Sequence, residues 1–353
     1  MNVVPQASEI GLAALHGSSP DIGIVGYSVS GGMGWYARKH GLATNSVTAI
    51  ELVTADGRLR RVDHEHESEL FWALRGGGGN FGFVTALEFE LYPISHVYAG
   101  ALFFPWERSS EVLHAWRKWL PTTPDEITSV GRILQFPPFP EIPEPLRGNS
   151  FAVVEAAYLG DEADGAELLR PLRELGPAMD TFAVVPPVGL AELHMDPPDP
   201  LPYASGHQLL GALPARAVDR LVAAAGPDSG SPLISVEVRH TGGALARSES
   251  HHGALSTLRG SFAMFAVGLA VDAASTAAVE AQIALVTAAL ADDDVGRYWN
   301  FTEEQVGVEA FFPAETCRRL RAVKDQYDPE DLFQGNHSIS AAPSRARAEA
   351  VAR

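Results

Sequence analysis

The chain has 353 residues, of which 46% are hydrophobic, and a formal net charge of −18 from 44 acidic and 26 basic side chains. This length supports two ordinary domains. The negative charge argues against nucleic-acid or anionic-membrane partners, which require a basic stripe, and the one cysteine, Cys317, excludes an internal disulfide and a thiolate metal cage. No apolar run could span a bilayer and "MNVVPQASEIG" lacks a signal-peptide pattern, so we expect a cytoplasmic protein.

Residues 20–95 are glycine-rich, and their pattern is mainly that of strands. In "SVTAIELVTADGRLRRVD", two strands are predicted around a turn at Asp56-Gly57. In "ESELFWALRGGGGNFGFVTALEFELYPI", apolar residues at helical spacing predict a short helix, which the glycines Gly76–Gly79 end. The alternation from Phe83 to Leu91 predicts a further strand.

Residues 96–295 alternate strands with Ala/Leu-rich helices, which predicts an α+β fold with a sheet backed by helices. Helices are predicted at "SSEVLHAWRKWL", "ADGAELLRPLREL", "ARAVDRLVAAAG" and "AASTAAVEAQIALVTAAL". Strands are predicted at "SFAVVEAAYLG", "PLISVEVRHTGG" and "GSFAMFAVGLAVD". Residues 296–340 contain "RYWNFTEE", a predicted helix "AETCRRLRAVKDQYD" and "LFQGNHSI", and residues 341–353 are expected to form a disordered tail.

The stretch "DIGIVGYSVSGGMGW", from Asp21 to Trp35, decides between several functional classes. A hydrolase elbow needs Gly-x-Ser-x-Gly, but around Ser28 the last position is Ser30. A phosphate loop needs a lysine, and a dinucleotide fingerprint needs glycines at another spacing. Two interpretations remain: a tight glycine turn within a sheet domain, or a bare backbone that a flat ligand can approach closely.

Three segments together distinguish between these interpretations. "GYSVSGGMGWYARKHGLATNSV", "LVTADGR" and "LFWALRGGGGNFGFVT", in that order, resemble the FAD-linked oxidases of the berberine-bridge-enzyme type, which have the vanillyl-alcohol-oxidase (PCMH) flavin fold. "YWNF" and "YDPEDLFQGNHSI" resemble the closing segment of the same family, so the resemblance covers nearly the whole chain. It implies that the glycine loop passes along FAD. The implied cofactor-binding residues are Gly23, Gly26, Gly31, Gly32, Gly82 and Val84.

The resemblance also implies a domain plan. Residues 1–95 correspond to the C-terminal half of a PCMH-type FAD-binding domain, residues 96–295 to a substrate-binding domain, and residues 296–340 to a closing segment that returns to the flavin domain. The family's flavin domain begins upstream of the glycine-rich stretch, with a loop that cradles the pyrophosphate. That loop has no counterpart in the 353 residues, so we expect this chain not to hold FAD tightly.

The sequence departs from the family pattern at three further positions. Ser19 stands where some relatives have a flavin-linked cysteine, which excludes a thioether there and implies non-covalent FAD. Ser30 replaces the usual third glycine of the run. Phe301 replaces the last tyrosine of the closing Tyr-x-Asn-Tyr motif, which relatives often use as a base.

Candidate catalytic residues lie on one predicted strand and in the closing motif. The alternation from Leu233 places Ser235, Glu237 and Arg239 on one face, and the resemblance implies that this face looks into the substrate cavity. The competing interpretation is a solvated face with a charge pair. Tyr298, the remaining phenol, is the better candidate base, with Glu237 and Arg239 mainly orienting the substrate; a core tyrosine is the alternative. Asn300 and Asn336 are typical of groups that hydrogen-bond a flavin edge.

Other polar residues give weaker signals. His64 and His66 in "DHEHESE" could belong to a metal site, but adjacent loop charges are usually solvated, and we predict no metal. His194 and the pair His251-His252 lack an evident set of partners. In "LHMDPPDP", Asp196 and Asp199 are expected on a loop over the cavity mouth.

The sequence therefore predicts an FAD-dependent oxidase or dehydrogenase of a small or medium organic substrate, with hydride transfer to flavin and O₂ as the reoxidant. The alternative is a non-catalytic relic or accessory protein that does not bind flavin. A third hypothesis, an α/β-hydrolase, would need Ser28 at a strained elbow.

Overall fold

The computed structural model describes residues 3–197 and 200–340. The predicted tail at 341–353 and Asp199 lie outside these residues. Within them, the strands are β1 (Val47–Val53), β2 (Leu59–Asp63), β3 (Phe83–Phe89), β4 (Val97–Pro105), β5 (Ile127–Gln135), β6 (Ser150–Tyr158), β7 (Met179–Asp180), β8 (Ala183–Val185), β9 (Tyr203–Leu210), β10 (Ser235–His240), β11 (Phe262–Leu269) and β12 (Asp294–Gly296).

The helices of the described residues lie between these strands and at both ends. They are α1 (Val4–Glu9), α2 (Ile24–Val29), α3 (Ala37–His40), α4 (Ser68–Leu74), α5 (Ser109–Trp119), α6 (Glu162–Arg173), α7 (Ala215–Ala225), α8 (Ala273–Ala289) and α9 (Ala314–Tyr327). In this part of the chain, no helix is both long and apolar enough to cross a membrane.

The strands form two antiparallel sheets, and the fold is α+β, as the sequence predicts. The small sheet has the order β2-β1-β3, and the hairpin predicted at Asp56-Gly57 joins β1 to β2, with Gly57 at φ +74°. The large sheet has the order β12-β9-β11-β10-β5-β6-β4-β7, with β8 also paired to β4. The helices predicted in residues 96–295 are confirmed as α5 to α8.

One face of the large sheet is apolar, and the other face carries a group of polar side chains on β5, β6 and β10. Val236 and Val238 of β10 belong to a buried core with side chains of α5, α7 and α8, among them Val112, Val218 and Val279. Because successive strand residues point to opposite faces, the alternate residues of β10 point away from this core. The apolar face therefore fixes the direction of the polar side chains on the other face.

Residues 20–95 were expected to be mainly strands, but the glycine-rich stretch from Asp21 to Trp35 contains no strand. It contains the helix α2, whose residues Tyr27, Ser28 and Val29 are buried. None of these is a strong helix former, so packing against the rest of the protein stabilises the helix rather than intrinsic propensity.

Two glycines end this helix and turn the chain. Gly31 has φ +140° and Gly32 has φ +84°, both in the region that favours glycine. A Cβ on Gly32 would lie 2.5 Å from Ala43 Cβ and 2.8 Å from the Tyr27 ring. The Gly32 carbonyl also accepts a hydrogen bond of 2.8 Å from Ala43 N–H, which brings the following loop close.

Replacing Gly32 by alanine should therefore lower the free energy of unfolding by about 2 kcal/mol, because the new methyl group is overpacked and the backbone strained. The measurement is urea unfolding followed by circular dichroism. Gly26→Ala is the matched control, since Gly26 lies in α2 and a Cβ there meets nothing within 4 Å. Equal midpoints for the two variants would contradict the packing assigned to Gly32.

Candidate active site

A large cavity lies between α2, the closing segment and the polar face of the large sheet. Its volume is about 1170 Å³, slightly above the usual range of roughly 300–1,000 Å³ for ligand pockets. One wall carries Gly23 and Gly26 of the glycine-rich stretch, and the opposite wall carries the predicted trio Ser235, Glu237 and Arg239. The alternation of β10 thus brings the trio to the cavity, and the interpretation as a solvated face is wrong, because Glu237 is 1% exposed.

Strand β5 adds to the polar wall a residue that no sequence pattern indicated. Arg132 lies directly opposite Glu237 in the register of β5 and β10, and it lines the cavity. Its Nε–H donates to Ser235 Oγ at 2.7 Å and its Nη1–H donates to Glu155 Oε1 at 2.9 Å. Glu155, on β6, is fully buried. No pattern in the sequence predicted this pairing, because β5 itself was not predicted.

His194 occupies the centre of this wall and has the partners that the sequence did not reveal. Its Nδ1 lies 2.6 Å from Glu155 Oε2, and its Nε2 lies 2.7 Å from Glu237 Oε2. Both carboxylates are acceptors, so the imidazole carries a proton on each nitrogen and is positively charged. The interpretation of His194 as a histidine without partners is therefore wrong.

The electrostatics of the wall follow from these contacts. Burial would lower the pKa of His194, but the two carboxylates raise it to about 9. Burial would raise the pKa of Glu237, but the surrounding cations, Arg239 foremost, hold it well below its ordinary range. Glu237 is consequently ionised at neutral pH, and a carboxylate stabilised in this way is a weak base.

The chain is strained next to His194. Met195 has φ +56°, which is uncommon for a residue with a side chain. The His194 carbonyl accepts a hydrogen bond of 2.8 Å from Arg132 Nη1–H, so both the side chain and the backbone of His194 are held by the sheet. Such over-determined strain is typical of functional sites. Asp196, two residues later, lines the cavity as the loop hypothesis expected.

Tyr298 lines the cavity but is almost fully buried, with an exposed fraction of 1%. Its hydroxyl oxygen accepts a hydrogen bond of 2.9 Å from the Met33 backbone N–H. Burial raises the pKa of the phenol, against the smaller opposite effect of the backbone N–H groups of Met33 and Gly32. The phenol therefore stays protonated at neutral pH, which opposes the predicted role of Tyr298 as a base and suits a hydrogen-bonding role.

Phe301 lies beside Tyr298 and faces the same cavity. The rings of Phe301 and Tyr298 are 5.1 Å apart in an edge arrangement. The Arg239 guanidinium carbon lies 5.0 Å from the centroid of the Phe301 ring, at the distance of a cation–π contact. Phe301 thus packs against the guanidinium of Arg239.

The residues predicted to bind the cofactor divide into two groups. Gly23, Gly26, Gly82, Val84, Asn300 and Asn336 line the cavity. A Cβ on Gly23 or Gly26 would meet no protein atom within 4 Å, so both leave their wall bare. Gly31 and Gly32 lie outside the cavity lining and instead pack against Tyr298 and Tyr27. Glycine is required at these two positions because the chain turns there after α2 with positive φ angles.

Two buried polar atoms of cavity-lining residues, Asn300 Oδ1 and Tyr27 Oη, have no hydrogen-bond partner among the described residues. Asn300 Nδ2–H donates to the Tyr27 carbonyl at 3.0 Å, but Asn300 Oδ1 accepts nothing. Unpaired buried acceptors cost free energy, so a ligand that donates a hydrogen bond here would stabilise the site. The bare glycine wall and this free acceptor fit the flat, hydrogen-bonding ring system of a flavin.

Other predicted sites have a different outcome. Ser28 is buried inside α2 and is not at a strand-to-helix turn, so the hydrolase hypothesis is wrong. Ser19 lines the cavity and donates to Asp21 at 2.8 Å. His251 and His252 do have a neighbour with ligand chemistry, because Glu249 lies with them so that their ligand atoms are within 4.8 Å of one another. This group is exposed or half-buried and lies outside the cavity.

The closing segment is tied to the glycine-rich core by buried polar contacts. Lys324 Nζ, fully buried, donates to the Asn80 carbonyl at 2.7 Å and to Asp328 at 2.6 Å. Asn80 Nδ2–H donates to the His337 carbonyl at 3.1 Å. These contacts join "RGGGGNFG" to "YDPEDLFQGNHSI".

Comparison with known proteins supports this assembly of motifs. Residues 297–340 match the family described as berberine and berberine like. The chain is 27% identical over 351 residues to an uncharacterized FAD-linked oxidoreductase, YvdP, of Bacillus subtilis, covering 95% of this chain and 74% of that protein. It is 28% identical over 357 residues to (R)-6-hydroxynicotine oxidase of Paenarthrobacter nicotinovorans, covering 96% of this chain and 75% of that protein.

The chain is thus similar over nearly its whole length to FAD-linked oxidoreductases, and its closing segment matches the berberine-like family. Its fold matches 6-hydroxy-D-nicotine oxidase of Arthrobacter nicotinovorans with a TM-score of 0.81 and 24% identity, over 96% of this chain and 76% of that one. It matches the BBE-like 1 protein of Physcomitrella patens with a TM-score of 0.80 and 17% identity, over 96% and 75%. In this chain the fold places the glycine wall and the sheet wall around one cavity.

The charge on His194 should make the stability of the protein depend on pH. Its folded-state pKa of about 9 lies above the ordinary value of 6.5, so the stabilisation is complete below about pH 6.5 and is lost as pH rises through 9. His194→Gln should lower the free energy of unfolding by about 3 kcal/mol at pH 6, because it leaves two buried carboxylates short of a cation. The loss should be smaller at pH 10.

Urea unfolding at the two pH values measures this difference. His114→Gln is the control, because His114 faces the exposed Asp219 at 2.7 Å on the surface, where such a pair contributes about 1 kcal/mol or less. A loss for His194→Gln of the same size at pH 6 and pH 10 would show that His194 is not a charged bridge.

Proposed function

We propose that the protein binds FAD non-covalently and catalyses the oxidation of a small or medium organic substrate, with O₂ as the reoxidant. The observation that carries this proposal is the cavity of about 1170 Å³ between a bare glycine wall and a charged sheet wall. When bound, FAD would accept a hydride from the substrate. Residues 1–95 and 296–340 would supply the flavin side of the cavity, and residues 96–295 the substrate side.

The chain's own residues would orient the substrate in this reaction. Glu237 and Arg239 face the cavity as an ion pair of 2.5 Å between Oε1 and Nε, so they offer an acceptor and donors side by side. Tyr298 offers a protonated phenol. We propose these three as the substrate-facing groups, with Gly23, Gly26, Gly82, Val84, Asn300 and Asn336 on the cofactor side.

Affinity for FAD tests the proposal directly. Among the described lining residues there are two arginines and no lysine, and both arginines lie on the sheet wall. We therefore expect the chain to take up FAD reversibly, with a Kd measurable by quenching of flavin fluorescence, rather than to retain it through gel filtration. No quenching up to millimolar chain concentration would favour the non-catalytic alternative.

A substitution on the glycine wall should separate cofactor binding from folding. Gly26→Val places a branched side chain in open cavity space, and it should weaken FAD binding at least tenfold by blocking the close approach of a ring. Valine has a moderate helix propensity, so stability should change by less than about 1 kcal/mol. Gly57→Asn, at the exposed hairpin turn, is the control. Unchanged FAD affinity in the Gly26 variant would place the flavin elsewhere.

A further inference from the structure

The polar wall of the cavity buries one more positive charge than negative. Its cations are Arg132, His194 and Arg239, and its carboxylates are Glu155 and Glu237, all at most 8% exposed. The count depends on His194, whose two nitrogens both face carboxylate oxygens and must both be protonated. Buried charges in proteins are normally paired, so the wall has room for one further anion.

Two of the three cations have few donors or none to spare. Arg132 uses its Nε–H and its two Nη1–H groups on Ser235 Oγ, Glu155 Oε1 and the His194 carbonyl, which leaves its Nη2 group. The half-buried Asp196 is the acid that acts on this arginine from the cavity side. His194 uses both its N–H groups on Glu155 and Glu237. His194 therefore cannot contact a ligand anion, and the charge of Asp196 offsets that of the remaining Arg132 donors.

Arg239 keeps more available donors than Arg132. Its Nε–H donates to Glu237 Oε1 at 2.5 Å, and its Nη1–H donates to Ser18 Oγ at 3.1 Å. Its Nη2 lies 3.2 Å from His194 Nε2, but this nitrogen is already protonated and cannot accept. A guanidinium has five N–H groups, so its Nη edge keeps donors beside the cavity that Arg239 lines.

We propose that the Nη edge of Arg239 binds a carboxylate of the substrate, so that the cavity takes small organic acids with an apolar or aromatic body. This inference rests on the proposed function and names its substrate class. The guanidinium fork matches a carboxylate bidentately, and the Phe301 ring beneath it, 5.0 Å from the guanidinium carbon, holds its plane. Phe265, Val267 and Tyr203 of the neighbouring strands supply apolar surface for the rest of the substrate.

Two other acids face the cavity and act against an anion. Asp196 is half-buried beside Arg132, and Glu303 is exposed at the opening near Tyr203. Water screens both charges more than those of the buried wall. The closest competitor is Asp196, so its removal should strengthen anion binding.

The same chemistry would suit an anion from another source, the diphosphate of FAD. The experiment therefore compares three probes of one shape, phenylacetate, phenylacetamide and phenethylamine, by isothermal titration calorimetry. Each is titrated into the full chain, first alone and then in the presence of FAD. FAD affinity is measured separately for every variant.

We expect phenylacetate to bind at least tenfold more tightly than phenylacetamide, the size of a charge-assisted hydrogen bond, and phenethylamine to bind most weakly. Arg239→Gln should abolish the preference, whereas Arg239→Lys, which keeps the charge without the fork, should retain part of it. Asp196→Asn should tighten phenylacetate. Arg220→Gln, which removes a surface pair with Asp292, should change nothing.

The pH dependence gives a readout that a purely structural role of Arg239 would not produce. Phenylacetate stays ionised above pH 9, but His194, with its pKa of about 9, then loses its proton to solvent and the wall loses its excess charge. Phenylacetate affinity should therefore fall at least threefold between pH 8 and pH 10, while phenylacetamide affinity stays constant.

Three results would overturn the inference. Equal binding of phenylacetate and phenylacetamide to the unmodified chain would show that the wall accepts no anion. Competition between FAD and phenylacetate, with loss of FAD affinity in Arg239→Gln, would assign the site to the cofactor's diphosphate. If phenethylamine bound most tightly, the cavity would favour cationic amines over carboxylates. FAD uptake without a carboxylate preference refutes only this inference, whereas a carboxylate preference without FAD uptake refutes only the proposed function.

Discussion

The imidazolium of His194 between the carboxylates of Glu155 and Glu237 is the interaction on which the cavity wall depends. Removing either carboxylate or the imidazolium would leave an uncompensated charge in a place that water barely reaches. The bridge connects β6 and β10 across β5, which lies between them. It also fixes the loop that carries Asp196 to the cavity, so the position of that loop follows from the electrostatics of the sheet.

Two sets of glycines have opposite uses in the same stretch of chain. Gly31 and Gly32 face protein atoms and have backbone angles that other residues adopt only at a cost in free energy. Gly23 and Gly26 have ordinary angles and face open space, so the absence of a side chain there serves the cavity rather than the backbone. The two pairs of glycines differ in the atoms that surround them, and a sequence alone does not show those surroundings.

The closing segment, residues 296–340, is joined by hydrogen bonds to the glycine-rich N-terminal part of the chain. Tyr298 reaches the turn after α2 through Met33, and the buried Lys324 holds the loop around Asn80. The segment thereby covers one side of the cavity with Phe301 and Asn300. A phenylalanine at position 301 gives this side an aromatic face without a phenol, and the guanidinium of Arg239 packs against it.

Local patterns in the sequence determined the helices and strands that have a clear hydrophobic period. Sequence motifs also revealed the resemblance to a known family. The hairpin at Asp56-Gly57, the helices α5 to α8 and the alternation of Ser235, Glu237 and Arg239 depend on spacing along the chain, and spacing is visible in a sequence. The glycine-rich and closing motifs were sufficient to identify the flavin fold. The helix α2 was not visible, because packing rather than propensity stabilises it.

Only the tertiary structure decided how the polar wall works. Arg132, Glu155, His194 and Glu237 come from four separate segments, and no residue spacing connects a loop histidine with carboxylates 39 and 43 positions away. Protonation states were equally hidden, since the pKa of His194 and that of Tyr298 depend on burial and on neighbours from other strands. The sequence therefore determined which residue types are present, and the pairing of strands determined which of them carry charge beside the cavity.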